Sequence, residues 1–185
     1  MSLFERFRPD MHVPSITDID PFSLAKQGYK GLLLDLDNTL LPWKNSDLPE
    51  SSKRWVEKAK QAGLKPVILS NTHYPTRLNK IAKELGIPAM AQAMKPREHG
   101  FHQAAKIIEC DIEWTVVVGD QLLTDIWGGN MACAYTILVN PMHPQEFLGT
   151  KISRLVESII FAALDMEPRV GTKWESTKSE EKDTK

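Results

Sequence analysis

The sequence predicts an α/β fold, a doubly wound parallel sheet in three layers with helices on both faces. Three observations predict it. Short apolar runs bounded by turn residues are typical of buried strands. Amphipathic stretches of helical period alternate with these runs, and the joints between them are short. Strands and helices in alternation favour parallel strands joined by right-handed crossovers.

The predicted strands are short and apolar. The first is rich in leucine, and the next three contain several β-branched residues, which favour strands. A fifth run is a weaker candidate for an edge strand. In chain order the four buried strands are Gly31–Leu36, Pro66–Ser70, Thr115–Gly119 and Tyr135–Val139, and the edge candidate is Pro88–Gln92.

Three of the predicted helices place apolar residues on one face. Tyr74–Leu85 aligns Leu78, Ile81 and Leu85 and stops at Gly86, a usual C-terminal signal. The apolar stretch Ile159–Leu164 is expected to be core or a subunit contact rather than an anchor. The other predicted helices are Pro49–Ala62, Glu98–Glu109, the short glycine-containing Leu122–Ala132, and Lys151–Met166.

Length and composition limit the function classes. The chain has 185 residues, 42% hydrophobic and 25% charged, which is typical of one globular domain. We place that domain at residues 1–168 and expect residues 169–185 to be a disordered polar tail. The net charge of −1 predicts no nucleic-acid partner. No apolar run approaches the ~20 residues that cross a bilayer, and the N-terminus is too polar for a secretory signal.

The two cysteines, Cys110 and Cys133, favour a reducing cytoplasm, because nothing in their spacing requires a disulfide. We therefore expect a cytoplasmic protein.

Two aspartates interrupt the first apolar run, in the sequence GLLLDLDNTLLPW. Asp35 and Asp37 stand where the strand ends, and a buried carboxylate costs several kcal/mol unless it is paired. Ligands of doubly wound sheets bind beyond the carboxyl ends of the strands. Ser70 ends the second strand and Asp120 follows the TVVVG strand. Three strand ends therefore bring polar groups to one crevice.

These residue types fit phosphoryl transfer. Two carboxylates so close repel unless a cation or proton intervenes, and Mg²⁺ prefers carboxylate oxygens, waters and phosphate. Asp120 and Asp125 could complete such a site, and Lys95 supplies a fixed positive charge. An aspartate can act as nucleophile through an aspartyl-phosphate, and a metal ion helps a very slow reaction.

At this point the motifs resemble a known family. Four segments match, in order, the four motifs of the haloacid dehalogenase superfamily of phosphotransferases. They are DLDNTL at Asp35–Leu40, ILSN at Ile68–Asn71, Lys95-Pro96, and VVGDQLLTD at Val117–Asp125. The resemblance implies that Asp35 is the nucleophile and Asp37 the general acid and base. It implies a substrate-binding set of Thr39, Ser70, Asn71 and Lys95, in which Thr39 orders the loop.

The same resemblance implies a magnesium site. Asp35, the backbone carbonyl of Asp37, and Asp120 would hold Mg²⁺, with Asp125 either a further ligand or a support behind the ligands.

Many members of the superfamily insert a cap domain over the crevice. The intervals from Asp37 to Ser70 and from Asn71 to Lys95 are too short for a folded cap. We therefore expect no cap domain and an open site, which suits a phosphate on a large molecule or a surface.

Sequence segments around the motifs indicate a particular branch of the superfamily. The N-terminal segment RPDMHVPSITDIDPFSLAKQGYK and the segment GDQLLTDIWGGN are similar to the YqeG branch of subfamily IIIA, over roughly residues 1–165. That branch is allied to mitochondrial phosphatidylglycerophosphate phosphatases. The resemblance implies hydrolysis of phosphatidylglycerophosphate, a lipid headgroup phosphate, by a cytoplasmic protein resting peripherally on the inner membrane face. A soluble phosphatase acting on a sugar phosphate, nucleotide or phosphoprotein remains an alternative, as does a non-catalytic phosphate-binding module.

Charge is unevenly distributed along the chain. Between Ser51 and Lys83 eight basic residues face the single acid Glu57, and such a face either contacts anionic lipid or is simply solvated. The eight basic residues are Lys53, Arg54, Lys58, Lys60, Lys65, Arg77, Lys80 and Lys83.

For the aromatic residues Phe4, Phe7 and Phe22 we expect core packing rather than insertion into lipid.

Some residues have plainer interpretations. Asp120 and Asp125 could merely cap the following helix and take no part in a site. His99 and His102 lack an evident third ligand, so we expect a surface or packing role. Trp43 and Trp127 flank the motifs and are expected to pack, although in an open site Trp43 could touch substrate.

Overall fold

A parallel sheet forms the centre of the molecule. The computed structural model describes residues 4–142 together with Ile160 and Leu164. Within that part of the chain six parallel strands lie in the order β1-β6-β5-β2-β3-β4. They are β1 Met11–Val13, β2 Gly31–Leu34, β3 Lys65–Leu69, β4 Ala89–Met90, β5 Thr115–Gly119 and β6 Tyr135–Val139. The predicted fold class is confirmed.

Helices cover both faces of this sheet. Their bounds are α1 Pro21–Lys26, α2 Glu50–Gln61, α3 Pro75–Leu85, α4 Glu98–Ile107 and α5 Trp127–Met131. Alternate residues of β2 face opposite layers, as strand geometry requires. Leu32 and Leu34 join the core that contains Trp55 of α2, whereas Leu33 joins the core that contains Phe101 of α4. The arrangement gives the three layers expected from the sequence.

The main strands agree with the sequence-based expectations, with differences at their ends. β2 ends at Leu34 rather than Leu36, so Asp35 is the first residue beyond the strand. The edge strand β4 contains two residues. The sequence did not predict β1 or α1, because both are too short for a periodic signal. β1 pairs with β6 through Met11 and Ile137.

The predicted helix Leu122–Ala132 consists of two parts. Leu122–Ile126 is a π-helical turn, and α5 follows it. The predicted helix Lys151–Met166 lies outside the described residues except at two positions. Ile160 and Leu164 are buried in a cluster with Leu122, Ile126 and Leu138.

The aromatic residues of the N-terminal segment differ from one another. Phe7 packs against Trp127, with ring centroids 5.2 Å apart, so packing is confirmed for both. The prediction that Phe22 packs in the core is wrong: the residue is 52% exposed. It lies in the first turn of α1, where Asp20 caps the backbone N–H of Phe22 and its ring projects outward. The side chain of Phe4 lies outside the described part.

The two intervals in which a cap domain was considered are short. Between Asp37 and Ser70 the chain forms a loop, α2 and β3, and between Asn71 and Lys95 it forms α3 and β4. Residues 4–142 thus contain no cap domain over the carboxyl ends of the strands.

None of the described helices is long and apolar enough to cross a membrane.

Candidate active site

Polar residues lie directly beyond three central strands. Asp35 follows β2, Ser70 follows β3 and Asp120 follows β5. β2 lies between β3 and β5, so the chain leaves β2 toward one side of the sheet and later returns on the other. This is the switch point at which doubly wound sheets bind ligands. The structure therefore brings the sequence-predicted residues of these strand ends together.

Lys95 lies between two of the acids. Its Nζ donates to Asp35 Oδ1 and to Asp125 Oδ1, each at 2.6 Å, and its side chain is 4% exposed. Burial lowers the pKa of Lys95, but the carboxylates of Asp125 and Asp35 more than reverse this, and the net pKa is raised. The lysine is therefore a fixed positive charge.

Asp120 adds a third carboxylate to this cluster. One oxygen each from Asp35, Asp120 and Asp125 lies within 4.8 Å of the others, and all three residues are buried. No group of the described chain donates a hydrogen bond to Asp35 Oδ2. Burial raises the pKa of Asp35 to about 7, with a further contribution from Asp125 and an opposing one from Lys95. Three carboxylates and one ammonium group leave negative charge that a divalent metal ion would neutralise.

The backbone around Asp125 explains how this residue reaches the cluster. In the π-helical turn Ile126 N donates to Gln121 O at 3.3 Å, while Asp125 Oδ2 accepts from Gln121 N at 3.1 Å. A Cβ at Gly119 would overlap the Asp125 carboxylate. Glycine at the end of β5 therefore lets the acid approach the strand closely.

Asp37 faces the cleft with a different partner. Arg77 of α3 binds it through two parallel contacts, Nη2 to Oδ1 at 2.8 Å and Nη1 to Oδ2 at 3.1 Å. The Asp37 side chain is 24% exposed, more than those of the Lys95 cluster. Asp35 and Asp37 thus lie in different electrostatic environments although one residue separates them.

The loop after Asp37 is a tight turn. Asn38 has a φ of +64°, a conformation that asparagine adopts more readily than most residues. Its N–H donates to Leu41 O at 2.8 Å and its Oδ1 accepts from Trp43 N at 3.2 Å. Thr39 is buried in this turn at 1% exposure, which places it where it could order the loop.

Ser70 and Asn71 support the lysine side of the site. Asn71 Oδ1 accepts from Lys95 N at 2.8 Å, and Asn71 Nδ2 donates to Lys95 O at 3.0 Å. The amide of Asn71 therefore fixes the backbone of Lys95. Ser70 is 3% exposed, and its Oγ accepts from Thr72 N at 3.2 Å, which leaves the hydroxyl proton for an oxygen ligand.

An open cleft of about 520 Å³ lies over these groups. Asp35, Asp37, Ser70 and Arg77 line it, so Asp35 of the acid cluster is reached from the cleft. Aromatic and basic side chains form the rest of the lining. They are Trp43, Lys44, His73 and Tyr74, with Asn38, Asn71, Thr72 and Gln121 beside them.

Residues 3–142 match the family model described as Mitochondrial PGP phosphatase. The chain belongs to this family. It is a phosphatase of the haloacid dehalogenase type and hydrolyses phosphate monoesters, as the four motifs indicated.

Individual relatives agree with this family. The phosphatase is 38% identical over 172 residues to "Probable phosphatase YqeG" of Bacillus subtilis, across 91% of this chain and 96% of that protein. It is 30% identical to "Phosphatidylglycerophosphate phosphatase 1, chloroplastic" of Chlamydomonas reinhardtii, across 80% of this chain and 59% of that protein. An uncharacterized protein from Listeria monocytogenes has a similar crystal structure, with a TM-score of 0.52, 19% identity, and coverage of 70% of this chain and 98% of that chain. This last similarity shows the fold alone.

Sequence analysis of the phosphatase missed the role of Arg77, which it assigned only to a basic helix face. Arg77 is the third residue of α3, and its guanidinium instead reaches the site and contacts Asp37. No motif includes Arg77, and the pair is separated by 40 residues. His99 is exposed and His102 half-buried on α4, and neither belongs to the described acid cluster.

Replacing the buried lysine tests the charge balance of the phosphatase. Lys95→Met keeps most of the side-chain volume but removes the ammonium group between Asp35 and Asp125. We expect the free energy of unfolding, measured by urea denaturation with a chelator at neutral pH, to fall by about 3–5 kcal/mol. Lys106→Met, at an exposed position of α4, should change it by less than about 0.5 kcal/mol. Equal stability of the two variants would contradict the proposed balance.

Proposed function

We propose that this phosphatase hydrolyses phosphatidylglycerophosphate to phosphatidylglycerol and phosphate, with Mg²⁺, through an aspartyl-phosphate on Asp35. The observation that carries the proposal is the position of Asp35 at the base of the cleft. One of its oxygens is held by Lys95 and the other has no donor in the described chain. A carboxylate so placed can present an oxygen to an entering phosphorus atom.

The proposed reaction has two steps. In the first, an oxygen of Asp35 forms a bond to phosphorus while the bond from phosphorus to the leaving oxygen breaks, and Asp37 gives that oxygen a proton. In the second, water attacks the phosphorus of the aspartyl-phosphate and Asp37 takes the water proton. The bond to Asp35 breaks, and phosphate leaves. Asp37 lines the same cleft and is more exposed than Asp35, as a proton carrier that contacts substrate requires.

Other residues of the site would bind the phosphoryl group. Lys95 would offset the charge of its oxygens, and the Ser70 hydroxyl would donate to one of them. Asn71 would act through its two hydrogen bonds to the backbone of Lys95, and Thr39 through the order of the loop after Asp37. These roles are the ones that the motif assignment implies.

The acid cluster fits a magnesium ion. Asp35, Asp120 and Asp125 supply carboxylate oxygens, which Mg²⁺ prefers, and the backbone carbonyl of Asp37 is the further ligand we propose. Because Asp125 also binds Lys95 and Gln121 N, it is equally suited to support the ligands from behind. A bound Mg²⁺ would neutralise charge on the phosphoryl oxygens.

The lipid substrate is supported by relatives and by the openness of the cleft. The algal relative carries the name of a phosphatidylglycerophosphate phosphatase. Without a cap in residues 4–142, a headgroup could enter while the acyl chains stay in a membrane. We therefore propose peripheral contact with the inner membrane face from the cytoplasm. Several basic residues of α2 and α3 remain exposed and could face anionic lipid: Arg54, Lys58, Lys80 and Lys83.

Part of the basic face is already paired within the protein. Lys53 binds Glu84 and Lys60 binds Glu57. Fewer basic side chains are therefore available to contact a membrane than the sequence suggested. Each remaining cation close to an anionic surface would contribute about 1 kcal/mol.

A substrate comparison tests the proposed function. Phosphate release with Mg²⁺ is measured from phosphatidylcholine vesicles that contain phosphatidylglycerophosphate, and from glucose 6-phosphate, a nucleoside monophosphate and a phosphopeptide. We expect kcat/KM on the lipid to exceed that on each soluble compound by about tenfold or more, an energy difference of ~1.4 kcal/mol. Absence of phosphate release from the vesicles would reject the lipid substrate, whichever soluble compound was hydrolysed.

The nucleophile is tested separately. Asp35→Asn keeps the shape of the side chain but removes its nucleophilic oxygen, and we expect turnover to fall about ten-thousand-fold or more. Acid quenching of the wild-type enzyme with radiolabelled substrate should trap a phosphoprotein, and the variant should form none. Asp111→Asn, at an exposed position before Ile112, serves as the matched control. Normal turnover by Asp35→Asn would show that another group accepts the phosphoryl group.

A further inference from the structure

Arg77 occupies a place in the cleft that none of the assigned roles explains. It extends from α3 toward the loop after β2, where its Nε donates to Asn45 O at 2.7 Å and its two Nη groups bind Asp37. Its side chain is only 18% exposed and lines the cleft. A guanidinium group has five N–H donors, and these contacts use three of them.

The position of Arg77 defines which part of a substrate it would meet. Asp37 is the residue proposed to protonate the leaving oxygen, so the guanidinium beside it lies on the leaving-group side of the cleft. Lys95 contacts Asp35 rather than Asp37, so the phosphoryl group would bind at Asp35. Arg77 is therefore placed to meet the alcohol portion of the substrate rather than the phosphate that is removed.

The guanidinium of Arg77 keeps donors for a second anion. Its contacts with Asn45 O and with both oxygens of Asp37 use three N–H groups. Two N–H donors are left on a side chain that lines the cleft. An anionic group of a substrate bound in the cleft would accept from these donors.

A second cation adjoins Arg77 at the mouth of the cleft. Lys44 is exposed and lines the cleft, with its Nζ 4.3 Å from the centroid of the Trp43 ring. Of the residues that line the cleft, only Asp35 and Asp37 are acidic. This part of the cleft lining therefore carries two cations, Arg77 and Lys44, and no described acid other than Asp37 forms an ion pair with Arg77.

We propose that Arg77, assisted by Lys44, forms an anion subsite that recognises a second anionic group of the substrate, on the leaving-group side of the scissile phosphate. A phosphodiester or a carboxylate has suitable oxygens, because the guanidinium fork pairs with two oxygens of one anion. The inference rests on the proposed function and deepens it, since phosphatidylglycerophosphate carries a phosphodiester on the same glycerol as the phosphate monoester. Arg77 would then determine which phosphate monoesters are good substrates.

Paired substrates test the subsite. Short-chain, water-soluble phosphatidylglycerophosphate is compared with glycerol 3-phosphate, which has the same scissile ester but lacks the diester. A second pair, 3-phosphoglycerate and glycerol 3-phosphate, differs by a carboxylate. For each pair the ratio of the two kcat/KM values is measured with Mg²⁺. We expect the wild-type ratio to favour the substrate with the second anion, and Arg77→Gln to reduce that ratio about tenfold or more.

Two further variants keep the result interpretable. Arg77→Lys retains the charge without the fork, so it should retain part of the ratio. Lys106→Gln removes an exposed cation on α4 that does not line the cleft, and its ratio should equal that of the wild type. Thermal melting of each variant checks that it is folded.

The outcomes separate the subsite from the lipid substrate. If Arg77→Gln lowers kcat/KM equally within each pair, Arg77 acts only by positioning Asp37 and the anion subsite is rejected. An unchanged ratio and unchanged rates would reject it as well. If the wild-type enzyme fails on the lipid but prefers 3-phosphoglycerate, and Arg77→Gln abolishes the preference, the subsite stands while the proposed lipid substrate falls.

Discussion

One ammonium group, that of Lys95, is buried between the carboxylates of Asp35 and Asp125, and the third acid Asp120 lies beside them. Such a cluster is unfavourable unless its charges are balanced. Three acids and one lysine are not balanced, and burial accordingly raises the pKa of Asp35 to about 7. The imbalance is what makes the site suited to a divalent cation and a phosphate together. The same charges that would bind substrate therefore destabilise the fold when neither the cation nor the phosphate is bound.

The fold positions these charges by simple means. Parallel strands place Asp35 and Asp120 at one edge of the sheet, and the π-helical turn after β5 returns Asp125 to it. Asn71 holds the backbone of Lys95 from the neighbouring strand end. Arg77 then contacts Asp37 from α3, so the second acid has its own cation. Asp35 and Asp37 are thereby assigned to separate environments, which suits two different tasks in one reaction.

Much of this arrangement could be predicted from the sequence, because strand periodicity and strand ends are local signals. The order of strands and helices identifies the edge to which Asp35, Ser70 and Asp120 belong. The pairing of Arg77 with Asp37 could not be predicted, since it depends on how α3 packs beside the loop after β2. The exposed position of Phe22 depends likewise on the capping of α1 by Asp20. β1 escaped prediction because three residues carry no periodic pattern, and its place is set by pairing with β6.

The most direct measurement is a calorimetric titration of Mg²⁺ into the metal-free wild-type protein and into Asp120→Asn, with Asp111→Asn as the matched control. If the acid cluster is a divalent cation site, the wild-type protein and Asp111→Asn should each bind one ion per chain, and Asp120→Asn should bind it about tenfold more weakly or worse. Equal Mg²⁺ affinity in all three proteins, or no binding by the wild-type protein, would contradict the assignment of the buried carboxylates to a metal.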